Sequence, residues 1–181
     1  NNTVRYNHDI YDNYCWGITA NAQRNATIAH NYDIYNHHNT NIGMEGGDPA
    51  IVGYSGNNTI ENNTVYFTDG NTDSKCIGME RLNDTVVKNN YVYNCTYGIR
   101  DWSSSTTAGS YNVTFTNNTI SNTTWAYWAD IQDYGDEEMQ LTISDSTIDT
   151  ADYGVWLNGT DNTTISGLTM TNIGVYNYTI T

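Results

Sequence analysis

Seven positions hold most of the chemistry this sequence can offer. Aligning the chain on its small-residue–apolar pairs places Thr19, Glu45, Glu80, Arg100, Trp128, Trp156 and Tyr176 at equivalent, outward-facing sites. Two carboxylates, a guanidinium and three aromatics along one line suit a glycan. Ring faces stack on pyranoses, and charged groups bond hydroxyls and acidic substituents. A solvated strand face with a Glu–Arg pair accounts for the same residues, and such a pair contributes little. Glu45 and Glu80 on neighbouring turns stand ~5 Å apart, the separation of the two acids in retaining glycosidases. Neighbouring turns impose that spacing on any stacked acids. Glu45, Glu80 and Arg100 are carried as catalytic candidates on that footing alone.

A second constellation is Asp69-Gly70-Asn71-Thr72-Asp73, with Glu80 eleven residues after Asp69. It matches a calcium loop of the D-x-N-x-D…E kind, except that Ser74 replaces the turn glycine. A plain polar loop is the alternative, as it is for the acidic run Asp133, Asp136, Glu137 and Glu138. His8, His30, His37 and His38 recur at no common position, and the pair His37-His38 reads as a solvated loop. No Ser/His/Asp set, glycine-rich phosphate loop or CxxC motif is present.

A repeat must position these residues. An apolar residue follows a threonine at Val4, Ile28, Ile60, Val86, Phe115, Ile143 and Ile165, and an amide stands three residues before each. A second anchor recurs at Ile10, Ile34, Val65, Val92, Ile120, Ile148 and Met170. Three residues before it stand Asn7, Asn31, Asn62, Asn89, Asn117, Asp145 and Gly167. The third element is Gly17-Ile18, Gly43-Met44, Gly78-Met79, Gly98-Ile99, Ala126-Tyr127, Gly154-Val155 and Gly174-Val175. Three short β-branched or aromatic strands per copy, split by Asn, Gly and Asp, predict a right-handed parallel β-helix of about seven coils. Residues 1–181 then form one solenoid domain.

In such a stack each anchor sits on its counterpart ~4.8 Å away. The asparagine columns supply the left-handed bend and an amide ladder. The residue after each small position should face inward, which makes Met44 and Met79 core. So should the residue before it: Trp16, Ile42, Ile77, Tyr97, Trp125, Tyr153 and Ile173. Ladder asparagines are expected to be buried, so the off-ladder sequons Asn94, Asn122, Asn158 and Asn177 are the glycosylation candidates. Cys76 and Cys95 lie on neighbouring coils within disulfide reach, while Cys15 shares the Cys76 column two coils away, too far to bridge.

The chain has 181 residues, a formal charge of −14 and six Lys and Arg. That charge repels phosphate backbones and argues against nucleic-acid binding. No apolar run reaches the ~18 residues a membrane helix needs, so no insertion is expected. The chain begins with Asn in register with the repeat and stops within a coil, the pattern of a processed chain or a segment of a longer solenoid. Bare end coils expose strand edges that pair, so self-association into a filament is a further expectation.

The units Asn57-Asn58-Thr59-Ile60-Glu61-Asn62-Asn63-Thr64-Val65 and Asn117-Asn118-Thr119-Ile120 carry a family look, as do Tyr97-Gly98-Ile99 and Tyr153-Gly154-Val155. They resemble the parallel β-helix repeats of carbohydrate-binding and sugar-hydrolase domains. They are also similar to the NosD-like, copper-binding-protein-like repeats of surface proteins from methanogenic archaea. The resemblance covers nearly the whole chain and specifies fold more than activity. It implies an extracellular adhesin, envelope component or polysaccharide-acting protein with a cell-surface glycan as partner and no required cofactor. No catalytic motif of the family maps onto this chain, and Met and His do not cluster as a copper site would need. A polysaccharide lyase or glycoside hydrolase is the alternative, but lyases of this fold generally use basic residues, in which the chain is poor.

Overall fold

A computed structural model describes residues 1–46, 55–68, 72–103, 110–131, 140–160 and 162–180. The chain winds as a parallel β-solenoid with strands and no helix among the described residues, making about five full turns. Seven copies still contribute to the first stack: Thr3–Arg5, Thr27–Ala29, Thr59–Glu61, Leu82–Lys88, Tyr111–Thr116, Leu141–Ser144 and Thr164–Ser166.

The core is three columns of apolar side chains, each pairing in register with the copy above and below. In the first stack the column is Val4, Ile28, Ile60, Val87, Phe115, Ile143 and Ile165. Val87, not Val86, is the inner residue. The two valines are indistinguishable by type, and a one-residue slip turns a strand inside out. The second stack follows the expected anchors from Ile10 to Met170. The third runs Ile18, Ile42, Ile77, Ile99, Tyr127 and Val155. From the fifth copy onward the second and third strands merge into single long strands, Thr119–Ile131, Thr147–Asn158 and Thr169–Ile180.

Left-handed residues make the corners. Tyr6, His30, Asn62, Asn89, Asn117, Asp145 and Gly167 turn the first stack into the second, and Asp12, Asn36, Phe67, Asn94, Asn122, Thr150 and Asn172 turn the second into the third. Asn and Asp tolerate this conformation best, which is why they recur there.

The amide ladder uses the expected Asn7 and Asn31 in the first two copies and the next residue along, Asn63, Asn90 and Asn118, in the following three, and ends on Ser146. All of these but Asn7 are buried. Asn90 Nδ2 donates to Ile60 O at 3.0 Å and to Asn118 Oδ1 at 3.1 Å, while Asn90 Oδ1 accepts from Asn63 N and Nδ2 at 3.0 Å. The pair Asn-Asn therefore splits two jobs expected of one residue: the first bends, the second bonds. This corrects the sequon argument. Asn57 and Asn117 are exposed corner residues and Asn62 is half-buried, whereas their neighbours Asn58, Asn118 and Asn63 are buried.

Candidate functional site

The outer face of the third stack carries the predicted residues, but in two columns rather than one. Thr19, Gly43, Gly78, Arg100, Trp128 and Trp156 share one register. Asn21, Glu45, Glu80, Trp102, Asp130 and Asn158 share another, two residues further along each strand. Arg100 thus stands over Gly78, and Trp102 over Glu80. Tyr176 pairs with Tyr153, because a bulge between Ala151 and Tyr153 shifts the last copy.

The misalignment comes from glycines doing different work. A side chain on Gly17 would strike the His37 ring and Asn41 O, and one on Gly98 would strike Ala126 O and Ile120. Gly43 faces the other way: a Cβ there would lie 2.6 Å from Cε3 of Trp16. Small-residue spacing does not distinguish an inner glycine from an outer one. Met44 and Met79 are buried as expected, but Val175 is exposed.

Trp16, Tyr97, Trp125 and Tyr153 stand on the outside and half-buried, not in the core. They share a register with Thr40 and Lys75. Trp125 stacks on Tyr153 with centroids 3.8 Å apart, and Trp128 on Trp156 at 4.8 Å, both pairs nearly parallel. Rings stacked from coil to coil turn their faces to one another along the solenoid axis. A glycan laid along that axis over them would meet edges, so face stacking at Trp128 and Trp156 is not the arrangement present. A similar ladder, Tyr11, Tyr35, Tyr66 and Tyr93, lines the second stack with centroids 5.2, 5.1 and 4.7 Å apart.

Where the outer column holds Gly43 and Gly78, two successive side chains are missing, and a cleft of about 180 Å³ opens. Trp16 folds over Gly43 at one end, and Arg100 with Trp102 forms the other. Glu45, Glu80, Asp73 and Lys75 supply the remaining charged groups of the lining. The Arg100 guanidinium lies 4.3 Å from the Trp128 ring centroid, 4.7 Å from Tyr97 and 5.0 Å from Trp102, cation–π distances on three rings. It also pairs with Asp73, which Lys75 Nζ meets at 2.9 Å. Burial pushes the Asp73 carboxyl upward, but Lys75 and Arg100 together outweigh it and hold the group below its usual range. Burial likewise lowers Lys75, partly offset by Asp73.

Glu45 and Glu80 do stack in register, and Arg81, a residue the alignment passed over, binds both. Arg81 Nη2 lies 2.7 Å from Glu45 Oε1, and Nε lies 3.3 Å from Glu80 Oε1. One guanidinium thus serves both stacked carboxylates. Lys75, Arg81 and Arg100 are half of the six Lys and Arg in the chain, and they are paired with three carboxylates, Glu45, Glu80 and Asp73. The repeated Ile-Gly-Met-Glu of residues 42–45 and 77–80 is the sequence signal that marks it.

Asp69 and Asn71 of the calcium loop, and Asp133, Asp136, Glu137 and Glu138, lie outside the described residues. Asp73 faces two cations, and no group of three or more His, Cys, Asp or Glu gathers among the described residues. Cys76 and Cys95 are joined as a disulfide with Cα atoms 5.8 Å apart. Cys15 is exposed and shares the register of Asn39 and Ser74, one residue short of the expected column. His37 is buried rather than solvated. Its Nδ1 accepts from Asn13 N and its Nε2 donates to Ile10 O, both at 3.1 Å, and burial lowers its pKa. His38 stacks on Tyr14.

Asn94 and Asn122 stack at the exposed corner between second and third stacks, where Asn122 Nδ2 donates to Asn94 Oδ1 at 2.6 Å. Asn158 Nδ2 donates to Asp130 Oδ1 at 2.8 Å, and Asn177 is exposed.

No curated protein matches the sequence. A family model described as a right handed beta helix region matches residues 1–170. That match spans nearly the whole chain and coincides with the stacked coils, so the chain belongs to the right-handed β-helix family.

Proposed function

We propose that this is an extracellular, cell-surface β-helix protein that binds a glycan on the outer face of its third stack. The observation that carries the reading is the cleft over Gly43 and Gly78. It is flanked by two indoles and ringed by three carboxylates and three cations. Indole faces beside fixed hydrogen-bonding groups are the usual equipment for holding a sugar. The Cys76–Cys95 bridge supports an oxidising, extracellular setting. Exposed sequon asparagines at the corners agree with that setting.

Binding without cleavage is favoured over hydrolysis, because Arg81 pairs with both stacked acids. A glycan array and a reducing-sugar assay on one preparation test both points. The expected result is retention of at least one glycan with no new reducing ends. Release of reducing ends that stops in Glu80→Gln would replace binding with hydrolysis. An empty array would leave a purely structural solenoid.

A further inference from the structure

Resting on that glycan-binding reading, we infer that the cleft holds one pyranose, a terminal or branching unit, and not a polymer laid along the solenoid. The outer column would accept a polymer only if its rings presented faces in series, and they do not. Trp125 and Tyr153 cover one another, as do Trp128 and Trp156, so beyond Arg100 the face offers ring edges.

The gap itself is closed at both ends. Thr19 and Arg100 lie three strand spacings apart in one register, ~14 Å between backbones. Trp16 takes up one end by folding over Gly43, and Arg100 takes up the other by pressing on Trp102. What remains is about 180 Å³, well below the ~300–1,000 Å³ of sites for larger ligands. That suffices for one sugar ring between two indoles, with Glu45, Glu80, Lys75 and Asp73 within reach of its hydroxyls.

The glycines are what make this cavity, since other copies fill the same position with Arg100, Trp128 or Trp156. At Gly78 the atoms nearest an added Cβ are Thr40 Cγ2 at 3.1 Å, Lys75 Cδ at 3.3 Å and Lys75 Cβ at 3.5 Å, all of side chains and none of backbone. A larger residue can therefore be placed in the cleft without breaking the coil.

Calorimetry with a free hexose, a hexosamine and a hexuronate, each beside its linear oligomers of two to six units, reads the ligand length directly. Monomer and hexamer should bind within about threefold of one another. Trp16→Ala and Trp102→Ala should each weaken binding at least tenfold, Gly78→Val should abolish it, and Trp156→Ala should change it less than twofold. Thermal melts of each variant confirm that the solenoid is intact, and Gly78→Val keeps the test valid if an indole variant fails to fold. Affinity that climbs more than tenfold from one unit to six, with the gain lost in Trp156→Ala, would overturn the single-sugar site and leave glycan binding standing. No heat from any sugar of any length would overturn both.

Discussion

Two columns run through the same coils and behave differently. The inner amide column, from Asn7 to Asn118, is unbroken and buried over most of its length. The outer column of the third stack changes residue at three of its five steps: Thr19, two glycines, Arg100, then Trp128 and Trp156. A coil cannot alter its inner face without stranding its neighbours' hydrogen bonds, whereas the outer face carries no such ladder from coil to coil. Constancy in a solenoid therefore marks scaffold, and interruption marks the place to look for a ligand.

The largest expected effect comes from breaking the inner column. Asn90→Ala removes a donor to Ile60 O and to Asn118, and an acceptor for two groups of Asn63, all buried. At about 1–3 kcal/mol for each buried group left unpaired, a loss of roughly 4 kcal/mol is expected. Urea denaturation measures it, and a loss below 1 kcal/mol would show the amide ladder to be dispensable.

Next comes the clamp between the third and fourth coils. Replacing Cys76 and Cys95 with alanine should cost about 3 kcal/mol, the usual stabilisation from a loop of this length. Melting with and without a thiol reductant tests it, and identical melting temperatures would argue against a bridge in solution.

A second inner column of the third stack, two residues beyond the first, has one carboxylate among hydrocarbons: Met44, Met79, Asp101, Ala129 and Leu157. Burial pushes the Asp101 carboxyl up to about 7, offset in part by Ser110 Oγ at 2.8 Å. Its folded pKa lies above the unfolded value, so its contribution is full below about pH 4 and is lost as pH rises to about 7. Stability should fall across that window by up to ~1.4 kcal/mol per pH unit. In Asp101→Asn this fall should vanish. Parallel profiles for the two proteins would mean that Asp101 ionises freely.

The smallest effect should follow from filling the gap. Gly78→Val should change stability by no more than about 1 kcal/mol, since the atoms nearest its Cβ belong to the Thr40 and Lys75 side chains and not to backbone. A large destabilisation would mean that the outer column is as constrained as the inner one.

Much of the architecture was legible. The second-stack anchors pair as their spacing implies, and periodic β-branched residues explain why. The site was less so, for reasons visible in particular residues. Gly17 and Gly98 save space inside, while outside Gly43 makes room for the Trp16 ring and Gly78 leaves the cleft, yet the same letter stands for all four. Val86 and Val87 are equally apolar, but only Val87 lies in the core column. Arg81 was passed over because it follows the strand that carries Glu80, in a left-handed conformation that residue type does not announce. Trp16 reads as core by hydrophobicity, and only its contact with the next coil shows it lying outside.

The glycine gap also makes the cleft a quantity that comes in whole steps. Its length is the number of consecutive copies that omit a side chain, each worth one strand spacing of ~4.8 Å. Restoring a side chain at Gly78 shortens it by one step, and removing the one at Arg100 lengthens it by another. Such a fold changes the size of what it holds by editing one letter per coil, with the hydrogen-bonded interior left as it was.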